Sequence, residues 1–216
     1  MNIENARFNM VEQQIRTWDV SDKALLELLS NMNRENFVDK KCKDIAFADL
    51  ELPLPGGGKM LCPRVEARLI QALKLTKYDN VLEIGSGSGY VTALLAKLSN
   101  FVYSVEINAR NKELADKNLM NCGITNASVV LADGINGLDT NAPYDKIFVG
   151  GALTTINEAL KKQLKIGGRL VGFIGYTPTM HAVVINKLTD SEYDMKYLFE
   201  IDLDYLVSEN MHKFKF

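Results

Sequence analysis

Short strand-like segments alternate with helical segments through the middle of the chain, and this alternation limits the possible folds more than any other feature. Apolar runs rich in β-branched residues lie at 80–85, 101–107, 128–133, 146–151 and 169–175. Helical patterns stand between them, and the one in ARNKELADKNLMNCG ends at Gly123, where a C-cap is expected. Such alternation is typical of right-handed βαβ units. The sequence therefore predicts an α/β fold with a doubly wound, mostly parallel sheet.

The two ends of the chain depart from this pattern. Near the start, Phe8, Val11 and Ile15 share one helical face, and Ser21 is a possible N-cap for the leucine-rich helix that follows. Near the end, HAVVINKL and MKYLFEIDL have no helix between them, which predicts an antiparallel edge to the sheet. We therefore predict a helical cap or arm over residues 1–55 and the main domain over 56–216.

Composition excludes several classes of protein. The 216 residues include 25 basic and 27 acidic ones, with no run of like charge, which argues against nucleic-acid binding. No apolar run approaches the roughly 20 residues of a membrane span. The three cysteines, Cys42, Cys62 and Cys122, form no C-x-x-C pair, so they predict neither a metal site nor a disulfide framework. We expect a soluble, cytoplasmic protein without metal, nucleic-acid or membrane partners.

The segment VLEIGSGSGY, residues 81–90, is the strongest functional signal. A buried strand ends at Gly85, and the glycines at 87 and 89 allow backbone N–H groups to approach a ligand at the start of the next helix. We therefore predict cofactor contacts from Gly85, Ser86, Gly87 and Ser88. The alternative is a tight strand-to-helix corner that binds nothing.

Acidic residues at the strand ends favour a nucleoside ligand. Glu106 ends the second strand, where its two oxygens can accept hydrogen bonds from both hydroxyls of a ribose. Asp133 and Gly134 follow the third strand, and we predict that Asp133 accepts from an exocyclic amine while Gly134 leaves room for a flat base. A simple Asp-Gly turn is the alternative for this pair. Glu83 lies inside the first strand, and a buried carboxylate there suggests a cationic ligand.

Two nucleoside cofactors compete for such a site. A dinucleotide fingerprint requires glycine at position 90, which is Tyr90, and the Gly-Lys-Ser/Thr ending of a P-loop is absent. An NAD-dependent oxidoreductase is therefore a weaker alternative. S-adenosylmethionine has a ribose and an adenine, no phosphate, and a cationic sulfonium and ammonium. It matches two carboxylates and few basic groups better.

Several segments together resemble the protein-L-isoaspartate O-methyltransferase family. They are VLEIGSGSGYVTALLAKL, SVEI, ADG, YDKIFVGGA and QLKIGGRLV, preceded in the expected order by LPLPGG and PRVEAR. The resemblance implies a seven-stranded class I methyltransferase fold with an N-terminal helical addition. It also implies S-adenosylmethionine as cofactor, bound by Gly85, Ser86, Gly87, Glu106, Asp133 and Gly134. The implied substrate is a peptide or protein with a free isoaspartyl carboxylate.

The chain departs from the resembling family in one loop, GGGKMLCP at 56–63. The family has Gly-x-Gly-x-x-x-(Ser or Thr)-x-Pro there, and its hydroxyl borders the transferred methyl and the acceptor carboxylate. Leu61 holds the hydroxyl position, so Lys59 and Cys62 are the candidate replacements, and we predict cofactor contacts from Met60 and Leu61. A methyltransferase with another acceptor, or a non-catalytic cofactor-binding module, are the alternatives.

Overall fold

The computed structural model of the protein describes residues 2–208. Six α-helices in this part are α1 (Ile3–Asn9), α2 (Lys23–Asn31), α3 (Pro63–Leu73), α4 (Tyr90–Leu98), α5 (Ala109–Asn121) and α6 (Glu158–Lys162). The strands are β1 (Leu52–Pro53), β2 (Lys59–Met60), β3 (Asn80–Ile84), β4 (Phe101–Glu106), β5 (Ala127–Leu131), β6 (Tyr144–Leu153), β7 (Leu164–Tyr176), β8 (Thr179–Lys187) and β9 (Tyr193–Ile201).

Seven of these strands form one sheet in the order β5-β4-β3-β6-β7-β8-β9. The first five are parallel, and β8 and β9 each pair antiparallel with the preceding strand. The predicted doubly wound fold and its antiparallel edge are therefore confirmed. Because the chain passes outward from β3 to β5 and then returns to β6, strand order reverses between β3 and β6. Open α/β sheets bind ligands at such a point.

Side chains alternate between the two faces of the sheet, and each face has its own core. Val81 of β3 packs in a large cluster with residues of α3, α4 and α5, whereas Leu82 packs in a smaller cluster with residues of β6, β7 and α6. This period of two follows from the pleat. Glu83 shares the face of Val81, so its carboxylate points toward the larger cluster.

The first helical segment buries two of the three residues predicted to share its apolar face. After α1 the chain forms a π-helical turn, in which Met10, Val11 and Ile15 are buried, whereas Phe8 is 64% exposed. A π-helical turn holds more residues than an α-helical one. Val11 and Ile15 are buried as predicted, whereas the prediction for Phe8 was wrong.

Two other local predictions were wrong. The cap of α2 is Asp22 rather than Ser21, because the Asp22 carboxylate accepts from the backbone N–H of Leu25 at 3.0 Å. The fifth parallel strand, β7, begins at Leu164 instead of residue 169, and α6 is only five residues long. Leu164 is fully buried and pairs with Tyr144, so this contact within the sheet overrides the helical pattern.

The N-terminal segment packs on the same core as the sheet. Met10, Ile15 and Leu29 belong to the cluster that contains Val81 and Leu94. The division at residue 55 into a cap and a methyltransferase domain stays a prediction. Within residues 2–208, no helix is long and apolar enough to cross a membrane.

Candidate active site

A cavity of about 270 Å³ lies at the carboxyl ends of β3, β4 and β6, where strand order reverses. Its size is close to the lower end of the range for small-molecule sites. Its lining includes five of the residues singled out in the sequence, namely Lys59, Gly85, Gly87, Glu106 and Gly134. The fold therefore brings four separate sequence segments to one cavity.

The glycine-rich turn between β3 and α4 has the backbone conformation that the sequence suggests. Gly85, Gly87 and Gly89 all have positive φ, at 88°, 53° and 81°, which side chains with a Cβ rarely adopt. Gly89 is the residue before α4, so the turn runs directly into the N-terminus of that helix. The turn thus brings bare backbone, without intervening side chains, to one wall of the cavity.

The Glu106 carboxylate is held rigidly at the end of β4. Its Oε2 accepts from the backbone N–H of Gly87 at 2.9 Å, and its Oε1 accepts from the backbone N–H of Asn108 at 2.9 Å. A carboxylate has about four lone-pair positions, so each oxygen retains capacity for a ligand hydroxyl. Glu106 therefore combines a structural role in the turn with a position on the cavity lining.

Asp133 and Gly134 have different surroundings. Asp133 accepts from the backbone N–H of Ile135 at 3.0 Å and from the hydroxyl of Ser208 at 2.6 Å. The first bond is that of an Asp-Gly turn, and Asp133 is not among the residues that line the cavity. Gly134 does line it, and a Cβ there would approach Ile84 to 2.9 Å. An exocyclic-amine contact from Asp133 stays a prediction.

Glu83 lies below the turn and not on the cavity lining. It is fully buried, and its Oε2 accepts from the hydroxyls of Thr92 at 2.5 Å and Ser104 at 2.6 Å. Its Oε1 has no hydrogen-bond partner among the described residues. Burial raises the pKa of the Glu83 carboxyl to about 7, although the two hydroxyls lower it. In this structure neutral hydroxyls, rather than a cation, meet this carboxylate.

This buried carboxyl predicts a pH dependence of stability. Because its pKa is higher in the folded chain than the unfolded value of about 4.3, the folded state binds the proton more tightly. The free energy of unfolding should fall as pH rises from about 4.3 to about 7, by up to roughly 3.5 kcal/mol. Glu83→Gln should remove this contribution and leave that of Glu66, whose carboxyl pKa burial also raises to about 7; urea unfolding at pH 5.5 and pH 8 would measure the difference.

The matched control for this prediction is Glu113→Gln, which makes the same chemical change at an exposed position of α5. It should retain the pH dependence of the wild type. An equally steep decline in Glu83→Gln would show that the Glu83 proton does not contribute.

The triple-glycine loop is fastened over the cavity by two asparagines. The Asn108 side chain donates to the Gly56 carbonyl at 2.7 Å, and the Asn111 side chain accepts from the Gly56 N–H at 2.8 Å and donates to the Gly57 carbonyl at 3.1 Å. A Cβ on Gly56 would clash with both asparagine side chains. Close approach therefore requires glycine at position 56.

A second cavity of about 40 Å³ adjoins the first. The two share Lys59, Gly85 and Gly87, among others. The smaller one is lined in addition by Met60, Leu61, Ser86 and Ser88, which completes the placement of the predicted turn and loop residues. Cys62 lines neither cavity.

A buried ion pair supports the smaller cavity, and the sequence pattern did not predict it. The helical period of PRVEARLIQAL predicts Glu66 on the solvent-exposed face of α3, but it is 2% exposed and forms a salt bridge with the fully buried Arg34. Arg34 also donates to the carbonyl oxygens of Leu61, at 2.8 Å, and Ala46, at 3.0 Å. The pair thus attaches the loop at Leu61 to the N-terminal segment.

The segment after β9 closes one side of the larger cavity, and we call residues 202–208 the C-terminal strap. Backbone hydrogen bonds join Ala152 to Asp204 at 3.1 Å and to Leu206 at 2.9 Å. The Leu206 side chain packs over Gly151, and the strap residues Asp204 to Val207 line the cavity. No sequence motif indicated this role, because the strap is positioned only by contacts with distant strands.

The sequence of this chain matches one known protein family over most of its length. The sequence model of the family "Protein-L-isoaspartate(D-aspartate) O-methyltransferase (PCMT)" matches residues 5–210. The chain belongs to this family. The membership confirms both the predicted family and the predicted methyltransferase class.

Curated members of the family are similar over most of their length. The protein-L-isoaspartate O-methyltransferase of Koribacter versatilis is 36% identical over 179 residues, which cover 83% of this chain and 80% of the relative. That of Methanoculleus marisnigri is 40% identical over 169 residues, which cover 78% of this chain and 77% of the relative.

Solved structures agree on the fold. A protein-L-isoaspartate O-methyltransferase superposes with a TM-score of 0.82 at 25% identity, covering 94% of this chain and 66% of the other. A Plasmodium falciparum structure described as a putative protein-L-isoaspartate O-methyltransferase gives a TM-score of 0.77 at 20% identity, covering 96% and 99%. That protein was crystallised with S-adenosyl-L-homocysteine.

Proposed function

We propose that the protein is an S-adenosylmethionine-dependent O-methyltransferase that methylates the free carboxylate of isoaspartyl residues in proteins or peptides. One observation carries the proposal: the family match spans residues 5–210 and includes every segment that lines the cavity at the reversal of strand order. The wider role that we propose is repair of damaged proteins in the cytoplasm. Three free cysteines fit a reducing compartment.

The residues at the cavity fit the cofactor. Glu106 offers oxygens for ribose hydroxyls, Gly134 leaves space beside it, and Gly85 and Gly87 let the backbone of the turn approach a ligand without a side chain in between. The Ser86 hydroxyl is buried, and it has no hydrogen-bond partner among residues 2–208, so a polar ligand group would satisfy it. When bound, S-adenosylmethionine supplies an electrophilic methyl group.

Methyl transfer to a carboxylate acceptor requires little acid–base chemistry from the protein. An α-carboxyl group has a pKa of about 3.5, so at neutral pH the acceptor is already ionised and needs no general base. The protein must position the carboxylate and keep water out, and positioning alone can account for a large part of a rate enhancement. The chain's own contribution is therefore the shape and charge of the two adjoining cavities.

A second candidate function is methyl transfer to a different acceptor. The observation that favours it is Leu61, whose buried side chain lines the smaller cavity and has no hydrogen-bonding group. A cofactor-binding protein without catalytic activity is the remaining alternative for the same reason.

Incubation with labelled S-adenosylmethionine tests these functions. The acceptors are an isoaspartyl peptide and its aspartyl twin, which differ only in the linkage. We expect base-labile label on the isoaspartyl peptide alone. If calorimetry shows cofactor binding but neither peptide is labelled, the isoaspartyl proposal is wrong, and the protein methylates another acceptor or none.

A further inference from the structure

Lys59 occupies a distinct position at the candidate active site. It lies on β2, beside the glycine loop, and it lines both the larger and the smaller cavity. Among the described residues of the two linings it is the only cationic one. An anionic acceptor that enters here therefore meets one positive charge from the protein.

Apart from Lys59 and Asp204, the charged groups of the two linings already have fixed partners. Glu106 accepts from two backbone N–H groups, and Glu66 is buried with Arg34. Breaking such a buried pair is costly, because it leaves an uncompensated charge away from water. The Glu106 and Glu66 carboxylates therefore keep their partners when a ligand enters the cavities.

The partners of Lys59 are different, because Asp204 is exposed and Glu51 is only partly buried. Its Nζ lies 3.0 Å from the Asp204 carboxylate on the C-terminal strap and 3.3 Å from that of Glu51. The side chains of Lys59 and Asp204 are 45% and 66% exposed. Exposed ion pairs contribute little to stability, so another carboxylate can replace them at small cost. The hydrogen bonds that Lys59 donates to the Asp204 and Glu51 carboxylates raise the pKa of its ammonium, which is therefore charged at neutral pH.

The other candidates for the missing loop hydroxyl do not offer such a group. Leu61 has no donor, and Cys62 lines neither cavity. Burial raises the pKa of the Cys62 thiol, and the nearby Asp49 carboxylate raises it further. The thiol is therefore neutral at physiological pH and at most a weak donor.

We propose that Lys59 binds the carboxylate of the methyl acceptor, and that the acceptor displaces Asp204 and Glu51 from it. The inference rests on the proposed function and adds a specific residue to it. Lys59 is thus a substrate-binding residue, while Asp204 and Glu51 are internal competitors. A loop whose backbone is fastened by Asn108 and Asn111 holds its lysine stem in place while the ammonium changes partners.

Variants of Lys59 and of its partner Asp204 should change the KM for the isoaspartyl peptide in opposite directions. Lys59→Gln should raise KM about tenfold or more, because a charge-assisted hydrogen bond is lost. Asp204→Asn should lower KM by about two- to fivefold, because the competing charge is removed. In both variants, kcat and the Kd for S-adenosylhomocysteine should stay within about twofold of the wild type.

Two further variants complete the set. Lys59→Arg keeps the charge and should remain within about threefold of the wild-type KM. Lys77→Gln removes a charge from an exposed lysine that lines neither cavity and should leave KM unchanged. An unchanged KM in Lys59→Gln would overturn the inference, as would a weakened Kd for S-adenosylhomocysteine that matches the change in KM.

Peptide binding separates this inference from the proposed function. Calorimetry with protein saturated with S-adenosylhomocysteine measures the affinity for the isoaspartyl peptide without turnover. If the wild type methylates the peptide and Lys59→Gln binds it with the same affinity as the wild type, only the proposed role of Lys59 is contradicted. If the wild type binds the peptide more tightly than Lys59→Gln does but does not methylate it, only the proposed function is contradicted. A wild type that does neither contradicts both.

Discussion

Replacing Arg34 with methionine should destabilise the protein by about 3–5 kcal/mol, the cost of breaking a buried ion pair on one side. Arg34 is fully buried, and its removal leaves the Glu66 carboxylate, which is 2% exposed, without its cation. The carbonyl oxygens of Leu61 and Ala46 also lose a donor. For a chain of this length the melting temperature should fall by roughly 6–20 °C, which calorimetry would measure.

Two comparisons identify the cause of this loss. Arg16→Met removes an arginine whose ion pair with Glu12 is exposed, and it should change stability by less than about 0.5 kcal/mol. The double variant Arg34→Met, Glu66→Leu removes both charges and should recover more than half of the lost stability. A double variant as unstable as Arg34→Met alone would mean that the unpaired carboxylate is not the main cost.

Replacing Glu106 with glutamine should weaken the binding of S-adenosylhomocysteine by roughly 10- to 150-fold. The carboxylate accepts from the backbone N–H groups of Gly87 and Asn108, and the cofactor ribose would use its remaining lone pairs. An amide has one acceptor oxygen instead of two, so at least one charge-assisted hydrogen bond worth about 1.5–3 kcal/mol is lost. Calorimetric titration of the purified variant measures the change in Kd.

The control for this variant is Glu113→Gln, which should bind with the affinity of the wild type because it lies on the exposed side of α5. Thermal unfolding without ligand would show whether Glu106→Gln also loosens the glycine turn. If the Kd of Glu106→Gln equals that of the wild type, Glu106 does not bind the cofactor and serves only the turn.

Features that depend on local chain geometry were predictable. The glycine turn follows from the backbone conformations that Gly85, Gly87 and Gly89 can adopt, and these depend on neighbouring residues only. Glu106 was predictable because parallel strands end at one edge of the sheet, so the last residue of a strand lies near the ligand. Asp133 ends its segment in the same way, but its local turn and Ser208 hold its carboxylate away from the cavity lining.

Features that depend on contacts between residues far apart in the sequence were not predictable from the sequence pattern. The helical period places Glu66 among the wet residues of α3, and nothing local indicates that Arg34, 32 positions away, is buried against it. Likewise the loop does not reveal that Asn108 and Asn111 fasten it, or that Asp204 approaches Lys59. Such partners come together only when the sheet orders its strands.

The sequence by itself determined the α/β class, the alternation of strands and helices along the chain and the glycine turn, because periodicity and backbone preference are local properties; the family followed from the resemblance of its motifs. Tertiary structure alone decided which charges are buried, which carboxylates compete for Lys59 and how the C-terminal strap lines the cavity. The physical reason is that burial and electrostatic interaction depend on distance in space, and this distance is not encoded in separation along the chain.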